Sequence, residues 1–103
     1  MGYKVVQTDL FQRDLDDVIR YIALALDNKS AAVALLDAVD RCFDDLGRTP
    51  LMYEVCRDPH PRELGYRRAI IRSYIMVYKV DDTARQVTVL RLFHGKQDYE
   101  NLI

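Results

Sequence analysis

The spacing of apolar residues changes once along this chain, from a helical period to a strand period, and that change limits the available folds more than any other feature. Phe11, Leu15, Val18, Ile19, Ile22 and Leu26 recur at intervals of three and four, with Arg13, Asp14, Asp16, Asp17 and Arg20 on the opposite side. Such a stripe belongs to an amphipathic helix with one buried face. Thr8 or Asp9 can cap it, with Gln12 three residues after Asp9 in capping-box position. Asp27, Asn28 and Lys29 interrupt the pattern, Ser30 offers a second cap, and Val33, Leu36, Val39, Cys42, Phe43 and Leu46 renew it up to Gly47. The two helices, joined by a tight turn, form an αα-hairpin.

From Tyr66 onward the residue types switch to runs rich in Ile, Val and Tyr: Tyr66 to Arg72, Tyr74 to Val80 and Gln86 to Phe93. Ser73 barely separates the first two runs, Asp81-Asp82-Thr83-Ala84 is a polar turn before the third, and Gly95 ends it. Tyr3 to Gln7 is expected as a leading strand, and Lys96 to Ile103 as a short terminal turn or helix. Arg48 to Gly65 carries all three prolines and no sustained period, which predicts a long connecting loop. The order β-α-α-β-β-β indicates an α+β fold, a helical hairpin packed on one face of a small, mainly antiparallel sheet.

A chain of 103 residues, half of them apolar, suits a single domain spanning residues 1–103. No apolar run reaches the roughly 18 residues of a membrane span, and no signal-peptide stretch follows Met1, so a cytoplasmic protein without a membrane partner is expected. Cys42 and Cys56 have no C-x-x-C spacing and are expected as reduced thiols rather than metal ligands. The formal charge of −1 hides an asymmetry. Residues 1–60 hold seven Lys or Arg against eleven Asp or Glu, and residues 61–103 hold eight against five, so the halves carry −4 and +3. A uniformly basic nucleic-acid binder is excluded, but the positive excess gathers near Arg62, Arg67, Arg68 and Arg72.

Strict alternation from Tyr66 puts Arg68 and Arg72 on one face with Tyr66 and Ile70, and Arg67 on the other with Ala69 and Ile71. Arginine forks along a strand match phosphate oxygens and a nearby tyrosine can stack on a base, a workable pattern for single-stranded RNA. The structural alternative is pairing with carboxylates of the acidic half. At the end of the last run, His94 offers an imidazole that can exchange a proton, Arg91 and Lys96 can hold negative charge on a phosphate, and Tyr99 offers a hydroxyl or a ring. Isolated, such a histidine and tyrosine more often serve structure. His60, between Pro59 and Pro61, is expected to be exposed. Glycine-rich phosphate loops, G-x-S-x-G and H-E-x-x-H are absent, so nucleotide hydrolysis, triad chemistry and zinc catalysis lack their parts, and no cofactor or metal is expected. The pairs Asp16-Asp17 and Asp44-Asp45 are expected as solvated helix surface.

Gly65-Tyr66-Arg67-Arg68, Tyr74-Ile75-Met76-Val77-Tyr78-Lys79-Val80-Asp81-Asp82 and the tract from Val87 to Tyr99, with its L-R-x-x-H-G-x-x-D-Y pattern, resemble the RelE/ParE toxin superfamily of bacterial type II toxin–antitoxin modules. The resemblance implies a growth-inhibiting toxin with a cognate antitoxin as partner, in a homodimer or a toxin–antitoxin hetero-oligomer. It implies one of two modes: a ParE-like poison of DNA gyrase, or a RelE-like endoribonuclease acting on ribosome-bound mRNA without metal. In the second mode His94, Arg91, Arg68, Arg72 and Tyr99 are the candidate catalytic residues, and Arg67, Arg68, Arg72 and Lys96 the candidate contacts to RNA or another target. RelE-like nucleases commonly carry an arginine in the middle strand where this chain has Ile75, which favours the ParE-like mode. A degenerate member that only binds its antitoxin is a further reading.

Overall fold

The computed structural model describes residues 2–57 and 59–95. Strand β1 (Lys4–Gln7) leads into helix α1 (Asp9–Arg20), which continues through a π-helical turn at Tyr21–Ala25 and is followed by α2 (Lys29–Arg48). A five-residue helix α3 (Pro59–Glu63) precedes β2 (Arg67–Ile71), β3 (Tyr74–Asp81) and β4 (Gln86–His94). Thr8 is the cap of α1, its hydroxyl accepting from the Phe11 N–H at 3.0 Å, and the same hydroxyl donates to the Leu90 carbonyl at 2.7 Å, tying the helix start to β4. The cap of α2 is Asn28 rather than the expected Ser30. Its side chain accepts from Ala31 at 3.1 Å, because the π turn closes through Leu26 N–H to Tyr21 and Asp27 takes a φ of 46°, so the second helix starts early.

The buried stripe of α2 also differs from the expected one. Ala32, Leu35, Val39, Cys42 and Leu46 face the core, whereas Val33 and Leu36 face solvent, as does Leu26. Two interleaved apolar sets fit the same period, and packing against the sheet selects the one that begins at Ala32. The proline-rich segment is not wholly a loop. Pro59 opens α3 where its missing N–H costs nothing, Pro61 is buried, and Gly65 ends the turn at a φ of 74° that a side chain disfavours.

The sheet has the order β1-β4-β3-β2, parallel between β1 and β4 and antiparallel elsewhere. β1 covers β4 only from Gln86 to Val89, leaving the outer edge of β4 from Leu90 to His94 without a strand partner among the described residues. Within β4, Tyr78 stands opposite Val89 while Val77 stands opposite Arg91, so Leu90 is an extra residue in a β-bulge. The bulge puts Val87, Val89 and Leu92 in the helix-side core and turns Leu90 and Phe93 to the other face.

On the helix side, Phe11, Leu15 and Ile22 of the first helical stretch and the α2 stripe close over Ala69, Ile71, Met76 and Tyr78. Tyr78 is fully buried and its hydroxyl donates to the Pro50 carbonyl at 2.8 Å, so the polar end of the ring is satisfied. The opposite face holds a smaller cluster of Cys56, Ile75, Val77 and Phe93, with Tyr66 and Leu90 against it. The segment around Glu54–Cys56 supplies this cover by pairing with the start of β2: Cys56 N–H donates to Tyr66 at 2.9 Å and Arg68 N–H to Glu54 at 3.0 Å. Both cysteines are free thiols and buried, in the two separate clusters. No helix among the described residues is long and apolar enough to cross a membrane.

Candidate functional site

The uncovered stretch of the β4 edge forms one wall of a groove of about 770 Å³, with α1 and its π turn as the opposite wall. Asp14 joins the walls. Its carboxylate accepts the Arg91 Nε–H at 2.7 Å, a second guanidinium N–H at 3.1 Å and the Leu92 backbone N–H at 3.0 Å. An exposed strand edge needs such a partner for its N–H groups. The Arg91 guanidinium also lies 4.9 Å from the centre of the Phe93 ring, and the Asp14 carboxylate holds its pKa above the ordinary value. Arg91 is thus a charged, doubly hydrogen-bonded clamp, with its side chain 28% exposed.

His94 closes the groove, its ring edge-on to Tyr74 with centroids 5.4 Å apart. Burial, then the neighbouring Tyr21, pushes the Tyr74 hydroxyl up from its usual pKa, so the phenol stays protonated at neutral pH. The glycine after His94 has a packing reason: Gly95 N–H donates to the Ser73 carbonyl at 2.7 Å, and a Cβ there would stand only 3.1 Å from that oxygen. The His94-Gly95 dipeptide therefore closes the β2–β3 turn onto the end of β4.

The other candidate arginines stand elsewhere. Arg68 is bound to Glu54, whose carboxyl is held below its usual pKa by that pairing. Arg67 donates to the Tyr53 carbonyl at 2.6 Å. Arg72 is not in β2 at all: the strand ends at Ile71, and Arg72 takes a φ of 55° in the two-residue turn, which removes it from the face of Arg68. It borders a smaller cavity of about 370 Å³ with Arg41, Asp45 and Tyr53 on the α2 side. There the Cys42 thiol donates to the Tyr53 hydroxyl at 3.7 Å, and burial together with this contact pushes the Tyr53 pKa up to about 12. The structure thus brings Arg91 and His94 to one groove, sets Arg68 across β3 from Arg91 with both in register with Val77, and places Arg67 and Arg72 elsewhere. Tyr99 and Lys96 lie outside the described residues.

Two groove residues escaped the sequence reading. Asp14 falls by residue type with the polar face of the first helix, yet it is three residues after Phe11 and four before Val18, inside the apolar register. A carboxylate at that spacing marks the border of the stripe, where it can reach a strand edge. Tyr21 continues the same line, three residues after Val18. No group of three or more potential metal ligands occurs among the described residues.

Comparison with known proteins places these features in a family. The fold matches the chain of the toxin–antitoxin complex RelBE2 from Mycobacterium tuberculosis at 26% identity and a TM-score of 0.66, over 91% of this chain and 92% of the other. It also matches the chromosomal ParDE system from P. aeruginosa at 14% identity and a TM-score of 0.69, over 91% and 97% of the two chains. The archaeal RelE–RelB complex from Pyrococcus horikoshii matches at 15% identity and a TM-score of 0.55, over 94% and 99%. No curated protein matches the sequence. The family model described as ParE toxin of type II toxin–antitoxin system, parDE, matches residues 5–99, so the chain belongs to this family and is a toxin of the RelE/ParE superfamily.

Proposed function

We propose that this toxin arrests growth in the ParE-like manner, by poisoning DNA gyrase in the cytoplasm without cutting RNA, and that a cognate antitoxin neutralises it. The observation that carries this reading is the engagement of Arg91 and Arg68 by carboxylates, with Arg72 turned to another face. A metal-free nuclease must hold the attacked phosphate between cationic groups and an acid or base. Here Arg91 is clamped by Asp14, Arg68 is bound to Glu54 beside the loop-covered face, and Arg72 turns to the α2 side. Ile75, at the place of the middle-strand arginine, is buried in the apolar cluster with Val77 and Phe93, where a guanidinium would lack a counter-charge. The description of the matching family agrees with this reading. The relatives known from toxin–antitoxin complexes support an antitoxin partner.

The test runs two assays on the purified toxin. Inhibition of gyrase supercoiling, with intact mRNA in a translating extract, is the expected pair of results. Cleavage of mRNA that His94→Ala or Arg91→Ala abolishes would overturn the proposal in favour of the RelE-like nuclease. Normal growth on induced expression without antitoxin would leave only the role of an antitoxin-binding protein.

A further inference from the structure

The groove beside β4 contains one filled and one open version of the same binding arrangement. In the filled one, the Arg91 guanidinium sits between the Asp14 carboxylate and the Phe93 ring. A second guanidinium on a ring occurs where Arg85 lies 4.4 Å from the centre of the Tyr3 ring, whose hydroxyl donates to Asp82 at 2.8 Å. One turn after Asp14, Asp17 lines the same groove, exposed and with no ion-pair partner among the described residues. Beside it stand the rings of Tyr21 and Tyr74, with His94 edge-on to the latter. Tyr21 is 57% exposed although it borders an apolar floor that includes Val18, Ile22 and Leu26. A carboxylate, two phenol rings and an apolar floor thus surround a space that holds no cation of this chain among the described residues.

We propose that this slot receives an arginine side chain from the antitoxin, with the guanidinium on Asp17 and stacked against Tyr21 and Tyr74, and the aliphatic stem on the apolar floor. A guanidinium suits it better than an ammonium, because a planar fork engages a carboxylate with two N–H groups while its face lies on a ring. Among the described residues the fixed cation of the groove is Arg91, which Asp14 neutralises, so the open end keeps the negative charge of Asp17. The inference rests on the toxin family and not on the choice of gyrase as target, because the binding is read without the target.

The experiment titrates the isotope-labelled full-length toxin with N-acetyl-arginine amide and follows backbone and ring signals by NMR. Saturable shifts at Tyr21, Tyr74 and His94 are expected, with N-acetyl-citrulline amide, the neutral isostere, giving none. Asp17→Asn is expected to remove the response, whereas Asp16→Asn, exposed on the same helix and bonded to Gln12, keeps it. In the intact toxin–antitoxin complex, Asp17→Asn should speed antitoxin release on the order of tenfold, and Tyr21→Leu by a smaller factor. Equal responses to the arginine and citrulline amides, or an unchanged release rate, would overturn the proposal. An equal response to N-acetyl-lysine amide overturns the preference for a guanidinium. Concentration-dependent dimerisation of the toxin alone that Asp17→Asn abolishes gives the slot to a second copy and equally overturns the antitoxin as its occupant.

Discussion

The two faces of the sheet are covered by different means. Helices α1 and α2 lay regular apolar stripes on one face, where they close over side chains of β2, β3 and β4. The other face is covered by the segment around Glu54–Cys56, with four buried residues and a few backbone bonds to the start of β2. Regular elements bury many side chains for each fixed turn of backbone, whereas an irregular cover depends on individual anchors. The helix side is accordingly expected to carry stability, and the loop side to carry most of the adjustable surface.

Paired truncations test this difference most strongly. Phe11→Ala, in the helix-side core, should cost about 4–5 kcal/mol in urea unfolding, and Phe93→Ala, in the loop-side cluster, about 3 kcal/mol, since a thinner cover can collapse onto the vacated space. The reverse order would break the comparison. Asp14→Ala comes next, at roughly 2 kcal/mol, because it leaves both the Arg91 guanidinium and the Leu92 N–H partly buried without their acceptor. Hydrogen exchange of the Leu92 amide should rise more than that of Val89. Tyr78→Phe removes the bond to Pro50 and should cost about 1–1.5 kcal/mol in the same unfolding measurement, without altering the fold by circular dichroism. The smallest effect is a pH dependence. Tyr53 keeps its proton in the folded state up to about pH 12 but loses it near 10 when unfolded, so the stability it contributes is complete below pH 10 and declines as pH rises from 10 to 12. Chemical denaturation across that window should show a shallower decline in Tyr53→Phe.

The helix side was readable in the sequence for the same reason that it is stable. Period alone locates α1, α2 and the three C-terminal strands, and Phe11, Leu15, Ile22, Val39, Cys42 and Leu46 are buried as their spacing requires. Period does not choose between Val33 and Ala32 as the start of the α2 stripe, since that depends on how the helix rolls against β2 and β3. The loop-side cover has no period to read. Cys56 and Pro61 are buried through contacts with residues distant in sequence, which composition alone does not reveal. At the site, His94 and Arg91 were legible as polar groups closing an apolar strand. Their relation to Asp14 was not, because it depends on β1 stopping at Gln7 and exposing the β4 edge that the helix then crosses.

The single extra residue in β4 acts on the groove much as a frameshift acts on a message. Upstream of Leu90 the alternation reads one way, and downstream it reads the other, so Leu92 faces the helices and Phe93 the loop. Deleting Leu90 would take out the extra residue and leave Arg91, Leu92 and Phe93 opposite Val77, Met76 and Ile75 as before, each on its present face of an unbroken alternation. Pairing Leu90 regularly opposite Val77 would instead turn every following side chain to the other face, taking Phe93 from its pocket and His94 from its place beside Tyr74, which makes the parity of β4, as much as the identity of its residues, the determinant of this surface.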